Sequence, residues 1–245
     1  MGGSDAVGAM SQMWRLISFG VMPLLLAFSG AFAITAYGET HNPVQVGNGL
    51  ETPKQPTLAN LMSISPLPQR VAPGFTLVDQ AGRSVSLISF RGKAVLLAFM
   101  DSRCTQVCPL VAQELISADR DLGRRARDVV FVGVNVNPSA NSVADIARFT
   151  QLRGLGKLNN WYFLTGSLPQ LERVWRLYGI EVIVPRHSIQ TIHSSYIYFL
   201  SPSGRERFLA DATVLQRQNG TAYLPSDLVD RWGKGLARYI SKATT

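Results

Sequence analysis

Cysteine is nearly absent from this chain: its 245 residues hold two, Cys104 and Cys108. A small secreted scaffold stapled by several disulfides is therefore excluded. Histidine is scarce, with His41, His187 and His193 the complete set. Acids are in deficit, 16 Asp and Glu against 24 Lys and Arg, for a net charge of +8. The imbalance is not uniform. Residues 1–72 carry Arg15, Lys54 and Arg70 against Asp5, Glu39 and Glu51, so the whole excess sits on residues 73–245. A basic globular face suits an acidic protein partner or an anionic membrane surface. No nucleic-acid-binding motif accompanies it, and nucleic acid is not an expected partner. Internal repeats and low-complexity tracts are missing too. Apolar residues make up 46% of the chain, which excludes a disordered protein and leaves enough length for one well-buried domain plus a membrane segment.

One long uncharged run stands out, the 23 residues Leu16 to Gly38. A membrane-spanning helix needs roughly 20 residues, and the interruptions Gly20, Pro23 and Gly30 are tolerated in such helices. Arg15 precedes the run and Glu39 follows it. The positive-inside tendency then puts residues 1–15 in the cytoplasm and everything after Gly38 outside. The competing reading is a signal peptide with Ala31-Phe32-Ala33 as the small-residue site. The length of the run favours an anchor, and both readings export the rest. A mitochondrial presequence would be rich in Arg and poor in acids, whereas residues 1–14 have no Arg and contain Asp5. The expected location is therefore a bacterial cytoplasmic membrane, with the globular part in the periplasm.

Residues 39–72 read as a tether, with Pro43, Pro53, Pro56, Pro66 and Pro68 and no sustained periodicity. From Pro73 strands and helices alternate. Phe75 to Val78, a turn at Asp79 to Gly82, and Val85 to Leu87 give a hairpin signal. Ala94 to Met100 and Val129 to Val136 are continuous apolar runs of the kind that form buried central strands. Between them a helix is expected to begin near Pro109, with Leu110, Leu115, Ala118 and Leu122 as its apolar positions. Further helices are expected at Asn141 to Thr150 and Leu168 to Tyr178, the latter stopped by Gly179. Strands are expected at Trp161 to Leu164, Tyr196 to Leu200 and Arg207 to Leu209. A last helix spans about Ser226 to Ser241, and its basic stripe of Arg231, Lys234, Arg238 and Lys242 reads as a solvated face. This order predicts a thioredoxin-like α/β domain over residues 73–245, a mixed sheet flanked by helices. It puts the cysteines where a central strand hands over to a helix, the usual place for a ligand in such folds.

Two cysteines so close are either a redox pair or metal ligands. Dithiol oxidoreductases of this fold normally use Cys-x-x-Cys; here three residues intervene, in Cys104-Thr105-Gln106-Val107-Cys108-Pro109. Positions four apart share one face of a helix, about 6 Å between side-chain roots. That suits two thiolates gripping one soft ion, and a disulfide stays open if Cys104 lies in the preceding loop. Thiolates select soft metals, Cu(I) foremost. A third ligand would then be an imidazole. His193 directly precedes a predicted strand and falls near the cysteine turn, while His187 sits in a less fixed loop and His41 on the tether.

The stretch from Gly92-Lys93-Ala94 to Cys104-Thr105-Gln106-Val107-Cys108-Pro109 resembles the Sco/SenC family. So do Val136-Asn137-Pro138, Phe163-Leu164-Thr165-Gly166, and the run from His193 through Tyr196-Ile197-Tyr198-Phe199-Leu200 to Ser201-Pro202-Ser203-Gly204. The resemblance covers about residues 73–210, in matching order and spacing. It implies a membrane-anchored, thioredoxin-like copper chaperone that holds Cu(I), or also Cu(II), through Cys104, Cys108 and His193. The implied recipient is the copper-bearing subunit of cytochrome c oxidase, at its dinuclear centre, with a separate protein donating the copper. A thiol-disulfide oxidoreductase acting through Cys104 and Cys108 is the alternative it implies. Three places depart from the family pattern. Met100-Asp101-Ser102-Arg103 replaces an aromatic-Thr-His-like run, Asn137 stands where an acid is usual, and Ile192 where many members carry Asp. Arg103 next to Cys104 is expected to favour the thiolate.

Overall fold

The computed structural model describes residues 57–186, 191–212 and 214–244. The expected segments 1–15 and 16–38, the first part of the tether, His41 and His187 lie outside the described residues. Among the described residues no helix is long and apolar enough to cross a membrane.

The chain begins with a single turn α1 (Leu58–Leu61) and a short strand β1 (Ser65–Pro66), then a hairpin of β2 (Thr76–Val78) and β3 (Ser84–Ser86). An alternating stretch follows: β4 (Ala94–Met100), α2 (Val107–Leu122), β5 (Val129–Asn135), α3 (Val143–Leu152), β6 (Trp161–Leu164) and α4 (Leu168–Leu177). Next come the two-residue strands β7 (Val182–Ile183) and β8 (Ile192–His193), then β9 (Tyr196–Leu200) and β10 (Glu206–Asp211). A small ladder of β11 (Leu215–Gln216) and β12 (Ala222–Tyr223) leads into the last helix, α5 (Ser226–Ala243).

Six strands form one mixed sheet in the order β1-β10-β9-β4-β5-β6. β4, β5 and β6 run parallel, while β9 lies antiparallel to β4 with Ala98 opposite Ile197. Every residue of β4 and of β5 is buried, as expected where both faces of a sheet are covered. Their side chains alternate between two cores. Leu96, Ala98, Met100 and Phe131 pack against α2, α3 and α5 together with Leu115, Phe149, Trp232 and Leu236. Val95, Leu97, Phe99 and Val132 pack against α4 and the β2–β3 hairpin with Leu77, Leu171, Val174 and Trp175. The helices start where local chemistry says they should. Ser142 and Asp145 form a reciprocal capping box on α3, and Ser167 and Gln170 do the same on α4. α2 and α5 lie in close contact. A Cβ on Gly233 would sit 2.4 Å from the Ser117 hydroxyl oxygen, so only glycine lets these helices approach this far.

The thioredoxin-like α/β order expected from the sequence is present. Two expectations change. The folded part starts before Pro73: β1 pairs with β10, Val71 bridges Arg205, and Met62 is wholly buried in the core. Residues 57–72 therefore belong to the domain rather than to a tether. Pro66 is compatible with this because β1 is an edge strand, which can spare a backbone donor. The helix expected to begin near Pro109 also starts two residues earlier. α2 begins at Val107, so Cys108 is on it and Cys104 lies in the turn before it. Leu110 is only half-buried, and Val111 takes its place in the core.

Candidate functional site

The carboxyl ends of β4 and β5 and the start of β9 meet at one end of the sheet. Leaving β4, the chain makes a tight turn from Asp101 to Cys104, whose amide donates to the Asp101 carbonyl at 3.1 Å. That turn is built on buried polar groups. The Asn135 side-chain carbonyl accepts from the Ser102 amide at 3.2 Å, and its amide group donates to the Ala140 carbonyl at 2.8 Å. The Ser102 hydroxyl donates to the same Ala140 carbonyl at 2.7 Å. The two loops after β4 and β5 are thus locked together, and the cysteine turn is stiff before any ligand arrives.

Cys104 and Cys108 are free thiols, both buried, Cys104 just beneath the surface. The Cys108 amide points at the Cys104 sulfur, 3.4 Å away. The Cys104 thiol is lowered to about 6. The Cys108 thiol donating to it is the main cause, burial opposes, and the amides of Cys108, Gln106 and Val107 at the start of α2 add to the lowering. The cost falls on Cys108, whose proton is held well above the ordinary thiol range by donation to Cys104, by burial and by the Cys104 charge. The pair therefore carries one negative charge and one proton at neutral pH. The low value for Cys104 matches the sequence expectation, but its cause differs. Arg103 turns away to pair with Asp145 at 3.5 Å, and helix-start amides with a neighbouring thiol take its role.

His193 is half-buried on β8, paired with Val182 of β7. Its Nδ1 lies 3.0 Å from the Ser194 carbonyl oxygen. A carbonyl only accepts, so Nδ1 carries the hydrogen and Nε2 keeps its lone pair. Burial lowers the imidazole's pKa, with the Ser194 carbonyl and Asp101 pulling the other way, which favours the neutral ring a metal needs. The structure thus joins the two cysteines directly and brings His193 to the same end of the sheet, within the field of Asp101. Among the described residues no three His, Cys, Asp or Glu side chains are gathered closely enough to hold a metal ion.

The sequence marks Asp101 and Ser102 only as part of a departure from the family pattern, and gives Asn135 and Thr191 no role. Asp101 is fully buried and accepts from the Arg103 amide at 2.7 Å, Asn137 Nδ2 at 2.8 Å, and Thr191 through its amide at 2.9 Å and hydroxyl at 3.1 Å. The signal was available: a carboxylate directly after seven apolar residues lies inside the fold and must be satisfied there. Asn137, noted as a departure, is the donor to that carboxylate. Ile192, the other, is 62% exposed.

Known proteins give the same picture. The "SCO1 protein homolog" of Bacillus subtilis is 29% identical over 164 residues, covering 66% of this chain and 80% of that protein. The "Protein SCO2 homolog, mitochondrial" of Bos taurus is 34% identical over 139 residues, covering 53% and 50%; the chain spans about half of that relative. Among solved structures, Arabidopsis thaliana ScoI with copper bound superposes with a TM-score of 0.54 at 21% identity, over 71% of this chain and 99% of that one. BsSco, described with a disulfide switch and as a member of the Sco family of cytochrome c oxidase assembly proteins, gives 0.52 at 26% identity, over 71% and 96%. Residues 65–219 match the SCO1/SenC family. The two cysteines at the carboxyl end of β4, the histidine before β9 and this match over more than half the sequence together place the chain in the SCO1/SenC family.

Proposed function

We propose that this protein is a copper(I) chaperone that carries the ion on Cys104, Cys108 and His193 and passes it to the dinuclear copper centre of a cytochrome c oxidase. The observation that carries the reading is the Cys104 thiol, lowered to about 6 beside a second thiol and at the same end of the sheet as an imidazole with a free Nε2. Two thiolates and an imidazole form a soft donor set suited to Cu(I). The copper-bound ScoI structure and the oxidase-assembly description of BsSco support the same reading. Since the three side chains are not yet gathered, uptake includes an inward movement of the His193 segment. The Cys108 proton leaves as the ion arrives. Cys104 lies near the surface, so a partner's ligand reaches the ion there first and takes it by exchange. Residues 16–38 would anchor the domain to the cytoplasmic membrane with residues 39–245 in the periplasm, keeping it close to an oxidase in that membrane.

The test is an anaerobic Cu(I) titration of reduced protein. Cys104→Ser and Cys108→Ser should abolish tight binding, and His193→Ala should weaken it at least tenfold. Equal affinity in His193→Ala and wild type would remove His193 from the ligand set.

One observation favours a second reading. A thiol near 6 beside a second free thiol is also the arrangement of a disulfide reductase. Cys104 thiolate would attack a substrate disulfide and release one substrate thiolate. Cys108, deprotonated, would then displace the other substrate sulfur and leave a Cys104–Cys108 disulfide. An insulin-reduction assay separates the readings, because turnover that survives His193→Ala and is lost in Cys108→Ser belongs to the reductase.

A further inference from the structure

The Asp101 carboxylate has an unusual position for a charge. It is fully buried, and none of the ion pairs among the described residues includes it. Burying an ion without a counter-ion is expensive, and an apolar side chain of similar size would cost the core less. The four hydrogen bonds described above make the burial tolerable. They fill both oxygens, two donors each: Arg103 and Asn137 on Oδ1, Thr191 twice on Oδ2. What distinguishes this group is what it joins. Oδ1 holds the turn that carries Cys104 and the loop after β5. Oδ2 holds Thr191, 90 residues away in sequence and two residues before His193.

Among the described residues the segment around His193 has few other fixings. There β8 is two residues long and pairs with the two residues of β7. Ser194 adds two bonds to Glu181, from its amide at 3.1 Å and to its hydroxyl at 3.2 Å. The regular sheet begins at Tyr196. His193 is therefore suspended between a clasp at Thr191 and a sheet strand at Tyr196, and the clasp is the point tied to the cysteine turn. A segment held in this way is fixed on both sides of His193, which limits where its imidazole can go.

We propose that Asp101 is a positioning residue for His193: by clasping Thr191 to the cysteine turn, it sets where the imidazole goes when the ion binds. The proposal rests on the copper reading above, and its failure is distinguishable from the failure of that reading. Asn at 101 keeps the shape but turns one acceptor into a donor that faces donors, so Asp101→Asn breaks one side of the clasp. Partners behind metal ligands typically cost 10–100-fold in affinity when removed, and a Cu(I) affinity roughly 10–100-fold weaker is expected here. Thr191→Val removes only the hydroxyl bond, from a partly exposed residue that does not threaten folding, and should lose severalfold.

A double-mutant cycle is the decisive measurement. If Asp101 acts through His193, adding Asp101→Asn or Thr191→Val to His193→Ala costs no further affinity. Losses that multiply independently would overturn the proposal, because the carboxylate would then act through the cysteine turn or the fold at large. Hydrogen exchange at the Thr191 and Arg103 amides, one on each carboxylate oxygen, is the copper-free readout, and one of the two should lose protection in Asp101→Asn. Unchanged exchange together with unchanged affinity would sink the clasp while leaving His193→Ala as the measure of the copper site. If His193→Ala binds as tightly as wild type, there is no ligand to position and both readings fall.

Discussion

Cys104 is a thiolate at neutral pH because the Cys108 thiol and the first amides of α2 all converge on its sulfur. Reactivity follows the thiolate fraction. Alkylation of the apo, reduced protein by iodoacetamide should rise tenfold per pH unit up to about 6 and then level off, with Cys104 the residue modified. The direction of the control follows from the cause. Cys108→Ala deletes the principal donor, so the midpoint must move up toward the ordinary thiol range; a midpoint that stays near 6 would mean that the helix-start amides suffice alone. The paired thiols were legible in the sequence from residue type and spacing, whereas His193 stood out through its place before a strand and through the family resemblance. Asp101 could be read locally as a buried carboxylate in need of donors, but its tie to Thr191 could not, because that hydrogen bond spans 90 residues and no local pattern announces such a pair. Arg103 was legible but misread: adjacency in sequence said nothing of its side chain's turn toward Asp145.

Elements with a strong period or a long apolar run were the easiest to read. β4 and β5, fully buried on both faces, appear in the sequence as the runs Ala94 to Met100 and Val129 to Val136. β7 and β8 were invisible, since two-residue strands carry no period. β1 was hidden by Pro66 and Pro68, which suggest a linker until the strand is seen to lie at the sheet edge. Helix packing depends on features that periodicity cannot show, and α5 offers a paired test. Gly233→Ala would drive a methyl to 2.4 Å from the Ser117 hydroxyl and 3.0 Å from its backbone carbonyl carbon. Overpacking of that kind costs about 1–3 kcal/mol, more than the roughly 1 kcal/mol that Ala gains over Gly in a helix. Gly235→Ala meets the Met62 sulfur at 2.4 Å, and that unbranched side chain can re-seat itself. Denaturant unfolding should find Gly233→Ala clearly destabilised and Gly235→Ala within about 1 kcal/mol of wild type.

The described domain has two unlike ends. The thiols and the imidazole occupy one; the other holds the starts of β4 and β5, the basic turn of Arg124, Arg125 and Arg127, and the end of α5 near Gly92. The domain needs residues 57–72 to be complete. A chain that starts at Pro73 loses the burial of Met62, worth about 1.5–3 kcal/mol, and the β1 ladder. Its melting temperature should fall by on the order of 5–10 °C relative to a chain that starts at Thr57; equal melting temperatures would return those residues to the tether.

The Met62 carbonyl accepts from the Asp211 amide at 3.2 Å, and Asp211 faces Tyr196 at the thiol-bearing end of the sheet. The leading segment therefore joins the domain at the same end of the sheet as the thiols, while Thr244 lies at the far end. Cargo placed at the two termini should then behave differently. A bulky fluorescent protein fused in place of residues 1–56 would crowd a docking visitor and slow the reaction of Cys104 with a large thiol reagent, whereas the same protein appended after Thr245 would leave that reaction at its native rate.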